Sequence, residues 1–238
     1  MIILIAQLFL GIACPSGSLP QQSTFDDIRT EWCERVVNSE VVRDGPTERY
    51  NLSSKSLAER GLYRLGKAHG VWEAWYPSKK FQSRTTFVNG IRSGPYTQWH
   101  ENGNKAEEGR FLNGQPDGPW KTWYESGKPE TTTTFVKGKE NGQRTVWHET
   151  GIRKEHGKVI MGKQVGLWNT WYESGLPQTT GAYDHGLKEG IWTHYFENGT
   201  KSGEFEFTQG RITRTIQAPN VMGEGNTTDY KNFGKALE

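Results

Sequence analysis

The sequence predicts an all-β chain: an elongated, single-layer antiparallel β-meander of 24-residue hairpin repeats, opened by a short N-terminal capping helix. Three observations carry this. The glycines Gly66, Gly90, Gly114, Gly138, Gly162, Gly186 and Gly210 recur at a constant step, and Gly70, Gly94, Gly118, Gly142, Gly166 and Gly190 keep the same step. So does an aromatic column of Trp75, Trp99, Trp123, Trp147, Trp171 and Tyr195. The mean hydropathy is −0.80, and the apolar mass is 10 Trp, 9 Tyr and 10 Phe beside 29 Gly. Aliphatic core material is scarce, so rings stacked along a thin sheet must take its place.

The elements follow in chain order. Residues 1–14 form an apolar run too short to span a bilayer, which needs about 20 residues. The run reads as a signal segment. Ala13-Cys14 followed by Pro15, Ser16, Gly17 and Ser18 resembles a bacterial lipoprotein signal, with Cys14 as the lipid attachment point. The alternative use of Cys14 is a bridge to Cys33, the second of the two cysteines, in an oxidising compartment. Residues 15–43 hold a polar linker and then the capping helix. There Thr24 and Asp27 fit a capping box, and Phe25, Ile28, Trp32 and Val36 fall at helical spacing up to Val37.

The repeat array spans 44–210. Its first unit, 44–66, is degenerate, since Gly45-Pro46-Thr47-Glu48-Arg49-Tyr50 resembles Gly94-Pro95-Tyr96-Thr97-Gln98-Trp99. Six regular units, 67–210, follow. Each carries two turn signals: Asn102-Gly103, Ser126-Gly127 or Thr150-Gly151 in one slot, and Asn89-Gly90 or Asn113-Gly114 in the other. About 14 short strands result, with a further strand over Arg211–Gln217 and a mobile polar tail beyond, in the span 211–238.

Alternation places the Trp75 column on one face of the ribbon. The other face carries Trp72 and Tyr76, Tyr96 and His100, Trp120 and Tyr124, Arg144 and His148, Trp168 and Tyr172, and Trp192 and Phe196. This second column varies more from unit to unit and is the candidate binding face, whereas the Trp75 column reads as architectural. In the partner strands, Gly109, Gly157 and Gly181 share a slot that leaves room for a ring from the next strand to lie across the backbone.

The unit Gly-x-Trp-x-x-Trp-Tyr-x-x-Gly, followed by a polar strand ending in Phe/Tyr-x-x-Gly, resembles the MORN repeat over about residues 61–210. It is closest to the bacterial variant found in proteins of the YwqK antitoxin type. The resemblance implies an interaction module. MORN arrays serve as membrane-associated scaffolds and as proposed lipid head-group binders. An antitoxin would be a cytosolic protein that masks a toxin, and the apolar segment 1–14 departs from that pattern.

Little in the chain points to chemistry. His100 and His148 take slots that elsewhere hold Tyr or Phe, and no histidine pair has metal-ligand spacing. The glutamates Glu101, Glu125, Glu149, Glu173 and Glu197 recur in turns, as solvating groups do. One unit departs from the rule: Arg144 and His148 replace aromatics, and Lys154, His156 and Lys158 follow, a candidate anion site. With net charge +2 and no basic stripe, nucleic acid is not an expected partner. The sequence therefore predicts a non-catalytic, cofactor-free scaffold, exported to the cell envelope and lipid-anchored or periplasmic. Its expected partner is a protein, with a glycan or lipid head group as further possibilities. A cytosolic antitoxin and a passive spacer are the competing readings.

Overall fold

The computed structural model describes residues 12–217. Most of the apolar leader and the polar tail lie outside the described residues. Nineteen strands run in chain order, beginning with β1 (Leu19–Phe25), β2 (Ile28–Val37), β3 (Glu40–Asn51), β4 (Ser56–Arg64), β5 (Lys67–Trp75) and β6 (Phe81–Val88). Next come β7 (Ile91–Trp99), β8 (Lys105–Leu112), β9 (Gln115–Pro116), β10 (Gly118–Trp123), β11 (Pro129–Val136), β12 (Lys139–Glu140) and β13 (Gly142–Trp147). The last six are β14 (Arg153–Ile160), β15 (Lys163–Trp171), β16 (Pro177–Asp184), β17 (Leu187–Tyr195), β18 (Lys201–Thr208) and β19 (Arg211–Gln217). The strand expected over Arg211–Gln217 is β19.

Every pairing is antiparallel and joins neighbours along the chain, so the molecule is one open meander. β9 with β10, and β12 with β13, are single strands interrupted at Asp117 and Asn141. There the backbone still bonds across, from Asp117 N–H to the Arg110 carbonyl and from Asn141 N–H to that of Thr134.

Turn chemistry sets the register. In the tight turns both central residues have positive φ, as in Asn89 (51°) with Gly90 (85°) and Met161 (51°) with Gly162 (84°). This is the mirror-image turn whose twist matches the flanking strands. The first position accepts Leu, Asn, Lys, Met, His or Gln. The second is glycine from Gly66 to Gly210, because it alone enters that region without a Cβ penalty.

The predicted capping helix is absent. Its residues form the β1–β2 hairpin, with Phe25 opposite Ile28 and Asp26 in the turn at φ 48°. Ile28, Trp32 and Val36 are spaced by four, a step that fits one helix face and equally one strand face. Two things favour the strand. Thr30, Val36 and Val37 are β-branched, and β3 offers an unpaired edge that β2 covers over nearly its whole length. The sheet therefore extends back through most of 15–43. On the opposite face of β2, Cys33 is 1% exposed and bridged to Cys14. Gly45 lies against this bridge: a Cβ there would stand 2.7 Å from Pro15 Cδ and 3.0 Å from Cys33 Cβ.

Candidate functional site

The ribbon has two dissimilar faces, and the difference begins at one slot of the second strand in each unit. At Gly61, Gly109, Gly157 and Gly181 a tryptophan from the next strand lies flat on the glycine backbone. A Cβ would fall 2.2 Å from Trp72 Cδ2, 2.1 Å from Trp120 Cε3, 2.2 Å from Trp168 Cδ2 and 2.2 Å from Trp192 Cδ2 respectively. The slot legible in sequence at three glycines does what their spacing implies, and Gly61 extends it to a fourth. Where the slot holds Thr85 or Thr133, the next strand offers Tyr96 or Arg144 instead. Trp120, Trp168 and Trp192 are consequently 7%, 2% and 3% exposed. Edge-to-face contacts continue the file: Trp120 with Phe111 and Phe135, and Tyr183 with both Trp168 and Trp192.

The face read as a binding surface is therefore, over three of its tryptophans, the packed side of the sheet. Its second column is also structural. Tyr76 Oη donates to the Trp99 carbonyl at 2.8 Å, Tyr124 Oη to that of Trp147 at 2.6 Å, and Tyr172 Oη to that of Tyr195 at 2.7 Å. His100 and His148 make the same link through Nε2, to the carbonyls of Trp123 (2.7 Å) and Trp171 (2.8 Å). Each ring ties its own turn to the following unit. Sequence reasoning missed these clasps. The available signal was that the column holds rings with a polar tip until Phe196.

Arg144 does not join His156, Lys154 and Lys158 in an anion site. Alternation along β14 puts those three on the opposite face, where His156 Nδ1 pairs with Thr145 Oγ1 at 2.9 Å. Arg144 instead lies between two carboxylates, 3.7 Å from Glu140 and 3.8 Å from Glu155. Arg144 Nε, Glu155 Oε1 and Thr133 Oγ1 have no hydrogen-bond partner among the described residues. Among the other histidines, His69 lies in β5 and His185 is exposed beside Asp184. His194 is buried against Phe205, and burial, helped by the charge of Lys188, pushes its pKa down to about 4.

The Trp75 face is more open. Trp75, Trp99, Trp123, Trp147, Trp171 and Tyr195 are all half-buried, and cations rest on some of them: Arg60 over Trp75 at 5.3 Å and Arg153 over Trp171 at 5.3 Å. Beside them runs a polar row in direct register, from Arg60, Glu73 and Arg84 through Thr97, Glu108 and Lys121. Burial works to raise the Glu73 pKa, but hydrogen bonds from Arg84 (2.9 Å) and Arg60 (2.7 Å) outweigh it and hold the carboxyl below its usual range. Beyond that row Val71, Leu167 and Ile191 stand 51%, 64% and 52% exposed.

With the geometry in hand, comparison with known proteins adds one positive finding. A family model described as the MORN repeat variant matches residues 92–113, 116–137 and 188–209, three spans in phase with the repeat. No curated protein matches the chain.

Proposed function

We propose that this chain, a protein of MORN-variant repeats, is a non-catalytic scaffold that binds a protein partner along the Trp75 face. The observation that carries the reading is the asymmetry of the ribbon. One face is closed by its own rings at Trp120, Trp168 and Trp192, and the other leaves its tryptophans half-buried, with aliphatic residues exposed across a polar row from them. Aromatic and arginine side chains are those that dominate protein interfaces when desolvated.

The Cys14–Cys33 bridge supports export to an oxidising compartment. It also weighs against acylation of Cys14, since one sulfur cannot carry both a thioether and a disulfide. We therefore place the protein outside the cytosol without a lipid on Cys14, and the antitoxin reading recedes with the cytosolic location. Non-reducing mass spectrometry of the peptide containing Cys14, from native cells, checks this. A Cys14–Cys33-linked pair is expected, and an acylated or free Cys14 contradicts it.

For the binding face, the triple substitution Val71→Ser, Leu167→Ser, Ile191→Ser alters side chains that the fold leaves exposed. It should leave Tm near wild type and abolish cross-linking of the partner that the wild-type chain captures. Undiminished cross-linking would move the interface elsewhere.

A further inference from the structure

Trp72 is the one member of the glycine-seated tryptophans that is not buried. Its ring still lies on Gly61, so its seat is intact and the difference is in what covers it. The residues around it are smaller than their counterparts. Ala68 stands where later units have Gln164 and Lys188, and Lys188 Nζ sits 4.4 Å over the Trp192 ring. Ala74 stands where they have Thr170 and His194, and Ser83 where they have Thr131 and Thr179.

On the far side, Thr85 prevents Tyr96 from leaning back over β6, and Tyr96 stacks forward on Trp120 instead, 5.8 Å between centroids. The strand between the two rings is left uncovered. A groove of ≈ 490 Å³ opens there, walled by Trp72 and Tyr96 and floored by Ser83, Thr85 and Phe87. Its volume lies within the range of about 300–1,000 Å³ that small-ligand sites occupy.

The groove's charges are already answered. Glu59 pairs with Arg49 at 3.2 Å, Glu73 is held by two arginines on the other face, and the Arg92 guanidinium lies 5.4 Å from the Phe111 centroid. What remains is two aromatic walls and neutral hydrogen-bonding groups: Gln98, which accepts from Tyr96 Oη at 2.6 Å, with Gln82, Ser83 and Thr85. An aromatic face attracts weakly positive C–H groups, and amide and hydroxyl groups at its rim suit hydroxyls. A ligand with one apolar C–H face and a ring of hydroxyls meets both demands. We propose that this groove binds a neutral pyranose sugar, stacked on Trp72 and hydrogen-bonded at its edge by Gln98 and Ser83. The site lies on the face opposite the proposed protein interface, so either can fail without the other.

The test is a titration of the ¹⁵N-labelled chain with maltose, cellobiose and N,N′-diacetylchitobiose, following the Trp72 indole N–H, which is assigned from Trp72→Phe. Choline and inorganic phosphate serve as charged controls. At least one sugar should shift that resonance saturably at concentrations up to about 10 mM, in the weak-affinity range. Ala68→Lys, which copies the covered arrangement at Trp192, should weaken that sugar by about tenfold or more with Tm unchanged. Absence of a shift with every sugar, equal affinity in Ala68→Lys, or saturation by choline or phosphate in place of sugar would each overturn the proposal.

Discussion

Gly181 with Trp192, and Thr133 with Arg144, occupy the same pair of slots two units apart along the packed face, yet they are built differently. At the first, the missing Cβ lets the indole lie on the backbone, and Trp192 joins Phe205 and Phe207 in a buried cluster with the partly buried Tyr183 packed against it. At the second, the threonine Cβ keeps a flat ring off the strand. Arg144 stands there between carboxylates, with three polar atoms unpartnered among the described residues. The residue in the Trp72 column is thus decided one strand earlier: glycine admits tryptophan, and threonine admits tyrosine or arginine. Variation in that column reflects packing rather than what a partner reads.

The largest effect should come from spoiling the tighter station. Gly181→Ala must push Trp192 off its seat, and we expect a loss of about 3 kcal/mol in urea unfolding. Thr133→Ala, where no ring lies on the slot, should cost about 1 kcal/mol or less. Comparable losses at the two sites would erase the distinction.

The next effect is a pH dependence confined to the tight station. His194 has a folded pKa near 4 against an ordinary 6.5, so the unfolded chain takes up a proton that the folded chain refuses. This contribution is therefore constant above about pH 7 and is lost as pH falls from about 6.5 toward 4, by on the order of 2 kcal/mol. Thr170 holds the equivalent position one unit earlier, so His194→Thr should flatten thermal unfolding across that window. A slope that survives the substitution would place its origin elsewhere.

Much of this molecule was legible in the sequence because a repeat reports each structural demand several times over. The turn glycines, the strand count per unit and the slot at Gly109, Gly157 and Gly181 all follow from spacing alone. The N-terminal hairpin was not legible, because Ile28, Trp32 and Val36 satisfy both helical and strand periods and only the neighbouring sheet edge decides between them. The packing of the variable column was not legible for a related reason. Trp120, Trp168 and Trp192 in it are buried, whereas the constant Trp75 column is only half-buried. Variation at the first position of that column is compensated by a glycine or threonine about a dozen residues before. Spacing alone does not give the cross-strand register, which sets Arg144 opposite Gly157 and so parts it from His156.

A smaller prediction concerns the clasps. Tyr124→Phe removes the bond to the Trp147 carbonyl and should cost about 1 kcal/mol. Tyr124→His, which imitates His100 and His148, should recover most of it. Equal losses in the two variants would reduce the column to simple ring packing.

The account rests most directly on the coupling between the two slots, and a double-mutant cycle at Gly157 and Trp168 measures it. Gly157→Thr and Trp168→Tyr together recreate the Thr85–Tyr96 pair that the chain already uses. The double variant should be more stable than the sum of the single losses allows, by about 1 kcal/mol or more. If the losses simply add, within about 0.5 kcal/mol, the glycine does not select the tryptophan and the central claim is wrong.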